Sequence, residues 1–209
     1  MNIAKKILEE LQTGLAEDGY ERSGQELFYK ELGRGWGGWI SIDSDSWQFG
    51  VVIGIYNKNL VRLSAVAFER IGLPVPRMIA GPPFIMMNLT ELTKKDPAYA
   101  GRQSWVYTGR KLSDSVADDI LYCLRNVAYP YFERIKSIEA IVEENRNGRL
   151  SLSTHLYLPI MLIIAGKIDE MREFIKRWVE NNKDLAQQMK YDEYIETILE
   201  MIAESRPET

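Results

Sequence analysis

The sequence predicts an α+β fold: an N-terminal helix, an antiparallel β-meander, and then a C-terminal helical bundle. Three observations predict it. Apolar side chains alternate through Trp47, Phe49, Val51, Ile53 and Ile55, with Gln48, Gly50, Val52, Gly54 and Tyr56 on the other side, which is the period of two of a pleated strand. From about residue 112 they recur at three and four, first through Val116, Ile120, Cys123, Leu124 and Val127, later through Ile195, Ile198, Leu199 and Ile202, which is the period of a helix. Ahead of both, Ile3, Ile7, Leu8, Leu11 and Leu15 form one apolar stripe opposite Lys5, Lys6, Glu9 and Glu10. The change of period divides the chain into a sheet domain over 1–112 and a helical region over 113–209, packed on or beside the sheet or merged with it in one domain.

The elements follow in order. The first helix covers about residues 2–17, and Gly19 is placed to cap its C-terminus. Ser23-Gly24 reads as a turn before a strand over Glu26–Glu31. The glycine-rich stretch Gly33–Gly38 connects to strands over Trp39–Asp43 and Trp47–Tyr56. Asn57-Lys58-Asn59 reads as a hairpin loop, because asparagine tolerates the left-handed conformation, and leads to a fourth strand over Leu60–Phe68. Pro74, Pro76, Pro82 and Pro83 exclude a central strand or a helix from Gly72–Pro83, so a long connection is expected there. Short strands follow at Phe84–Leu89 and Ser104–Tyr107.

In the C-terminal part, Ser113 or Asp114 caps a helix over 115–127. Pro130 opens another that runs to about Glu144. A third helix spans Ser153–Ala165 with a kink or restart at Pro159. Gly166 caps it, Ile168–Val179 returns antiparallel to it, and Tyr191–Glu204 closes the chain.

Composition narrows the function classes. The chain has 209 residues, 45% of them hydrophobic, enough for a substantial core, and a net charge of −4, which disfavours nucleic acid and suits a basic protein partner. The single cysteine, Cys123, lies on an apolar helix stripe and reads as a buried, inert thiol. The longest apolar run, Leu156–Ala165, contains Pro159 and is too short for a bilayer, and the first residues lack the apolar core of a signal peptide, so a cytoplasmic protein with no membrane partner is expected.

No motif demands catalysis. Gly33, Gly35 and Gly38 match G-x-G-x-x-G, but a strand follows them where a dinucleotide site needs a helix, so a hairpin loop is expected. Asp43-Ser44-Asp45 has no third acid nearby and reads as a turn, so no metal and no cofactor are expected. His155, the only histidine, stands near a helix start beside Ser153 and Thr154 and reads as structural. The richest constellation is aromatic: Trp36, Trp39, Trp47, Tyr56, Trp105 and Tyr107. Alternation sends Trp47 to the core side. If Ile40 and Ile42 point inward, Trp39 stands on the outer surface with Ser41 and Asp43, unless helices cover that face.

The segment Leu15–Tyr56 resembles the domain-of-unknown-function 4304 family of bacterial proteins. The resemblance is carried by Gly19-Tyr20-Glu21-Arg22-Ser23-Gly24, by Leu27-Phe28-Tyr29-Lys30, by the strand Phe49–Tyr56, and later by Trp105 and Tyr129-Pro130-Tyr131-Phe132-Glu133. The family's glutamine-basic-serine strand motif is represented only by Ser41-Ile42-Asp43-Ser44. The resemblance implies a small α+β protein of the kind that serves as an immunity-like or antitoxin-like partner in bacterial conflict systems.

Together these readings favour a non-catalytic module that binds a partner protein, such as a basic toxin-like protein. Trp36 and Trp39 would be its anchors, Asp43 and Asp45 its steering charges, and Arg34 and Tyr107 would complete the surface. Two other readings stand beside it. One is a small-molecule-binding protein or enzyme with Arg34, Asp43, Tyr107 and His155 converging in a cleft between sheet and helices. The other is a structural homodimer formed through an exposed edge strand and an apolar outer face.

Overall fold

The computed structural model describes residues 3–24, 26–44, 48–75, 85–94, 105–106, 116–146 and 154–204. The chain forms two compact units, each built from two stretches: residues 1–56 with 85–136, and residues 57–84 with 137–209. The expected division at 112/113 falls within 107–115, outside the described residues, as does most of the proline-rich stretch.

The first unit is an α+β sandwich. Helix α1 (Ile3–Glu17) buries Ile7, Leu11 and Leu15. It ends at Gly19 (φ +83°), where the Gly19 N–H donates to the Ala16 carbonyl at 3.0 Å and the Tyr20 N–H to Leu15 at 2.9 Å, the paired bonds of a Schellman cap. Five strands follow in meander order, β1 (Glu21–Ser23), β2 (Leu27–Gly33), β3 (Trp36–Ser44), β4 (Gln48–Asn57) and β5 (Ile85–Asn88). A sixth, β6 (Trp105–Val106), pairs antiparallel with the start of β4. Ser23, expected in a turn, pairs with Leu27 in the short edge strand β1.

The glycine-rich stretch is a tight hairpin. Arg34 (φ 53°) and Gly35 (φ 79°) both have positive φ, as the two central residues of a type I′ turn require, and the β2–β3 register shifts between Glu31 and Gly33. The G-x-G-x-x-G match is thus a turn and the start of a strand, as expected.

One face of the sheet is the core face. Phe28, Ile40, Ile42, Phe49, Val51, Ile53 and Ile55 are all buried on it. Gly38 also points this way: a Cβ there would lie 3.1 Å from the Tyr20 hydroxyl and 3.3 Å from the Phe132 ring. Phe132 belongs to α5 (Tyr129–Ile135), which the chain reaches from α4 (Val116–Cys123) through a π-helical turn at Leu124–Ala128. Pro130 sits in the first turn of α5, as its missing N–H dictates. A short helix, α3 (Leu89–Thr93), packs against the π-helical turn.

The π-helical turn is clamped to the end of α1. Arg125 Nε donates to both carboxylate oxygens of Asp18 at 3.0 and 2.9 Å, the Tyr129 hydroxyl donates to Asp18 at 2.8 Å, and Lys30 Nζ reaches the Asp18 carbonyl at 2.6 Å. The Tyr20 and Tyr129 rings stack beside it at 5.5 Å, with the Lys30 ammonium 5.7 and 5.9 Å from their centroids. The Tyr20 hydroxyl is buried with no hydrogen-bond partner among the described residues. An unmade buried bond costs about 1–3 kcal/mol. Tyr20→Phe is therefore expected to leave stability unchanged or raise it by about 1 kcal/mol in urea unfolding. A loss of similar size would mean that the hydroxyl has a partner.

The second unit is helical. Its first element corrects the sequence reading: residues 58–70 form α2 (Lys58–Arg70), not a strand. Asn57 does not turn a hairpin. Its side chain accepts from the N–H groups of Asn59 (2.9 Å) and Leu60 (3.3 Å) and caps the helix. Leu60, Ser64, Ala67 and Phe68 then share one buried helical face. The helix expected from Pro130 to Glu144 is also two. Lys136 leaves the helical conformation (ψ 53°), and the Ser137 hydroxyl accepts from the Ala140 N–H at 3.1 Å, starting α6 (Ile138–Arg146).

Helix α7 (Thr154–Ile164) is the centre of this unit, with every residue from Leu156 to Ile163 buried. It packs against α2, α6, α8 (Ile168–Asn181) and α10 (Tyr191–Glu204), and a short α9 (Lys183–Gln188) joins the last two. Pro159 stands inside α7 and neither ends nor restarts it. Lacking an N–H, it leaves the His155 carbonyl without its helical donor, and its ring crowds the same turn. Two tyrosines on α10 serve this turn. The Tyr191 hydroxyl donates to the His155 carbonyl at 2.5 Å and the Tyr194 hydroxyl to the Leu156 carbonyl at 2.9 Å. Tyr194 also lies 2.8 Å from the Ser64 hydroxyl, which ties α2 to the same point.

Candidate interaction surface on the outer face of the sheet

Strand alternation puts a second set of residues on the face opposite the core. In β2 and β3 these are Leu27, Tyr29 and Glu31, opposite Ser41, Trp39 and Gly37 in the register. In β4 they are Gln48, Gly50, Val52, Gly54 and Tyr56. Two close approaches fix the alignment of β3 with β4: a Cβ on Gly37 would fall 2.2 Å from the Tyr56 ring, and one on Gly50 would lie 3.9 Å from the Asp43 side chain.

Three aromatic rings from three adjacent strands meet on this face. Tyr29 and Trp39 are directly paired, and the Trp39 indole N–H donates to the Tyr29 hydroxyl at 3.1 Å. Tyr56 meets Tyr29 edge to face, with centroids 6.1 Å apart and planes at 83°. Its ring occupies the space above Gly37 that any side chain would fill. Each ring is only half-buried. The array is therefore held in one arrangement by contacts within the sheet, so little side-chain entropy remains to be lost when something packs on it. Asp43, on the same face, is exposed.

Of the residues singled out from the sequence, Trp39 and Asp43 share this surface, as alternation predicts. Trp36 does not. It has the parity of Gly38, Ile40 and Ile42 and is only 6% exposed, so it belongs to the core face and cannot serve as an exposed anchor. Arg34 is exposed at the tip of the β2–β3 hairpin, nine residues from Asp43 along the strand. Asp45, Trp47 and Tyr107 lie outside the described residues. Tyr29 was not among the candidates: its place beside Trp39 comes from the strand register, which no local pattern reveals.

No family model, curated protein or solved structure matches the chain.

Of the residues proposed to line a catalytic cleft, two lie in the first unit and are far apart along its sheet, and Tyr107 lies outside the described residues. Arg34 and Asp43 stand near opposite ends of one extended strand, about 30 Å apart at about 3.3 Å per residue. His155 belongs to the second unit, where its ring lies flat on Trp178 with centroids 4.7 Å apart and planes at 7°. The same unit has a hollow of about 640 Å³ between α6, α7 and α8, floored by Val142, Leu158, Leu162 and Phe174 and edged by Glu173 and Arg177, which pair with each other at 3.5 Å. Among the described residues no group of three or more His, Cys, Asp or Glu side chains could hold a metal ion, and no helix is long and apolar enough to cross a membrane.

Among the described residues the perturbed titratable groups are Arg125, raised first by its hydrogen bond to Asp18, and five tyrosines. Burial pushes the Tyr20, Tyr129, Tyr157, Tyr191 and Tyr194 hydroxyls well above the ordinary phenol value of 10.0. Such groups stay protonated and can donate hydrogen bonds, as Tyr129, Tyr191 and Tyr194 do here.

Proposed function

We propose that the chain is a non-catalytic protein-binding module that docks a basic partner protein on the outer face of its sheet. The observation that supports this reading is the preset array of Tyr29, Trp39 and Tyr56 on that face. Partly exposed Trp and Tyr that are already fixed in position are the residues that most often carry binding energy. Asp43, exposed on the same face four residues along β3 from Trp39, in a chain of net charge −4, supplies the attraction for a basic surface. The resemblance of Leu15–Tyr56 to the domain-of-unknown-function 4304 family favours an immunity-like or antitoxin-like role in a bacterial cytoplasm.

The test is purification of the tagged chain from the cells that make it, with the wild type, Trp39→Ala and Asp43→Lys in parallel. A stoichiometric basic protein should accompany the wild type. Trp39→Ala should weaken its binding by at least about 2 kcal/mol, about thirtyfold, with an unchanged circular dichroism spectrum. Asp43→Lys should slow association, most at low salt. Equal retention by all three forms would refute the assignment of this face.

A further inference from the structure

The chemistry of the outer face also points to the kind of segment it takes. We infer that the partner presents an extended, proline-containing stretch with a basic residue. Its prolines would pack on Trp39 and Tyr56, one of its carbonyls would accept a hydrogen bond from the Tyr29 hydroxyl, and its cation would lie at Asp43. This rests on the outer face being the docking surface.

Three features carry the inference. First, the face is made by β2, β3 and β4: β3 lies between two neighbours, β2 pairs with β3 and, over Leu27–Tyr29, with β1, and β4 pairs with β3, β5 and β6. A chain lying across the three rings therefore meets side chains rather than a free strand edge. Second, the Tyr29 hydroxyl accepts from Trp39 Nε1 and has no second hydrogen bond among the described residues, so its own proton is available to an acceptor. A segment in the polyproline II conformation offers bare carbonyls, brings few N–H groups that need partners, and is already extended, so it loses little entropy on binding. A helix would present its carbonyls already bonded. Third, Tyr56 lies over Gly37 and stands edge-on to Tyr29, so rings meeting at steep angles form a ridged aromatic surface of the type on which proline rings pack. The exposed Asp43 carboxylate, on the same face, has no salt bridge among the described residues and fits a lysine or arginine of the ligand.

The experiment is an NMR titration of the isotope-labelled full chain with the peptide acetyl-Ala-Pro-Pro-Leu-Pro-Pro-Arg-amide. Two control peptides accompany it, one with glycine for every proline and one with glutamate for the arginine. The inference expects saturable amide shifts centred on β2, β3 and β4. It expects binding at least about tenfold weaker for either control. Tyr29→Phe, which keeps the ring and removes only the hydroxyl, should weaken the proline peptide about fivefold or more. Gly37→Ala, which must displace Tyr56, should do the same in a chain whose remaining spectrum is unchanged. Absence of saturable binding, equal affinity for the glycine control, or indifference to Tyr29→Phe would overturn the inference. If the natural partner still depends on Trp39 while the peptide does not bind, only this inference falls. If the partner is also indifferent to Trp39, the docking surface itself falls with it.

Discussion

Replacing Tyr191 and Tyr194 together by phenylalanine is expected to destabilise the protein by about 2–4 kcal/mol: losing the donor to the part-buried His155 carbonyl costs about 1–3 kcal/mol, and losing the Tyr194 bond to the buried Leu156 carbonyl adds about 1 kcal/mol. Tyr194→Phe also strips the Ser64 hydroxyl of its partner. The reason lies in Pro159. In an uninterrupted helix the His155 carbonyl would accept from the N–H of residue 159, and proline has none. Tyr191 replaces the missing donor. Pro159→Ala restores that N–H, so Tyr191→Phe should cost at least about 1 kcal/mol less in the Pro159→Ala background than in the wild type. Urea unfolding of the four proteins of this cycle measures the coupling. Strict additivity would mean that the tyrosine and the proline are unrelated.

A second large effect is expected in alkali. Tyr20, Tyr129, Tyr157, Tyr191 and Tyr194 are held neutral mainly by burial, so their folded pKa values lie above the 10.0 of an exposed phenol. A raised folded pKa means that the unfolded chain releases its proton first. The stabilisation is therefore complete below pH about 10 and is lost as the pH rises beyond it, by about 1.4 kcal/mol per pH unit for each tyrosine. With five acting together, stability that is level up to pH about 9.5 should collapse within about two pH units above it. Tyrosine ionisation should be cooperative with unfolding. Gradual ionisation of all tyrosines in a protein still folded at pH about 11 would contradict the burial of these hydroxyls.

Much of the α+β architecture was legible because burial leaves a period in the sequence. The alternation of Phe49, Val51, Ile53 and Ile55 marked β4 and its core face, and Ile40 with Ile42 placed Trp39 on the opposite face. Extending that parity back along the strand would also have shown that Trp36 is buried, but the run Gly33–Gly38 reads as a loop when the two-residue turn at Arg34-Gly35 is not recognised. Helix α2 was misread for a different reason. Leu60, Val61, Leu63, Ala65, Val66, Ala67 and Phe68 are dense enough in apolar residues to satisfy either period. The deciding residue was Asn57, whose side chain serves equally in a turn or as a helix cap. The break at Lys136-Ser137 carried a similar local signal, a serine three residues before the Ala140 N–H that it accepts.

What the sequence could not show is pairing across strands. Tyr29 meets Trp39, and Tyr56 settles over Gly37, only once the register brings them together. The dependence of α7 on Tyr191 and Tyr194 is likewise invisible locally, because the proline and its remedy are more than thirty residues apart. Both are long-range consequences of local facts that are easily read: an N–H that proline lacks and a side chain that glycine lacks.

The most direct test of the docking surface is hydroxyl-radical footprinting of the chain alone and in complex with its co-purified partner, with modification of each aromatic residue read by mass spectrometry. Tyr29, Trp39 and Tyr56 should be oxidised in the free chain and protected together in the complex, while the exposed Tyr122 of α4 reacts equally in both. Unchanged oxidation of the three outer-face rings in a saturated complex would contradict docking on this face.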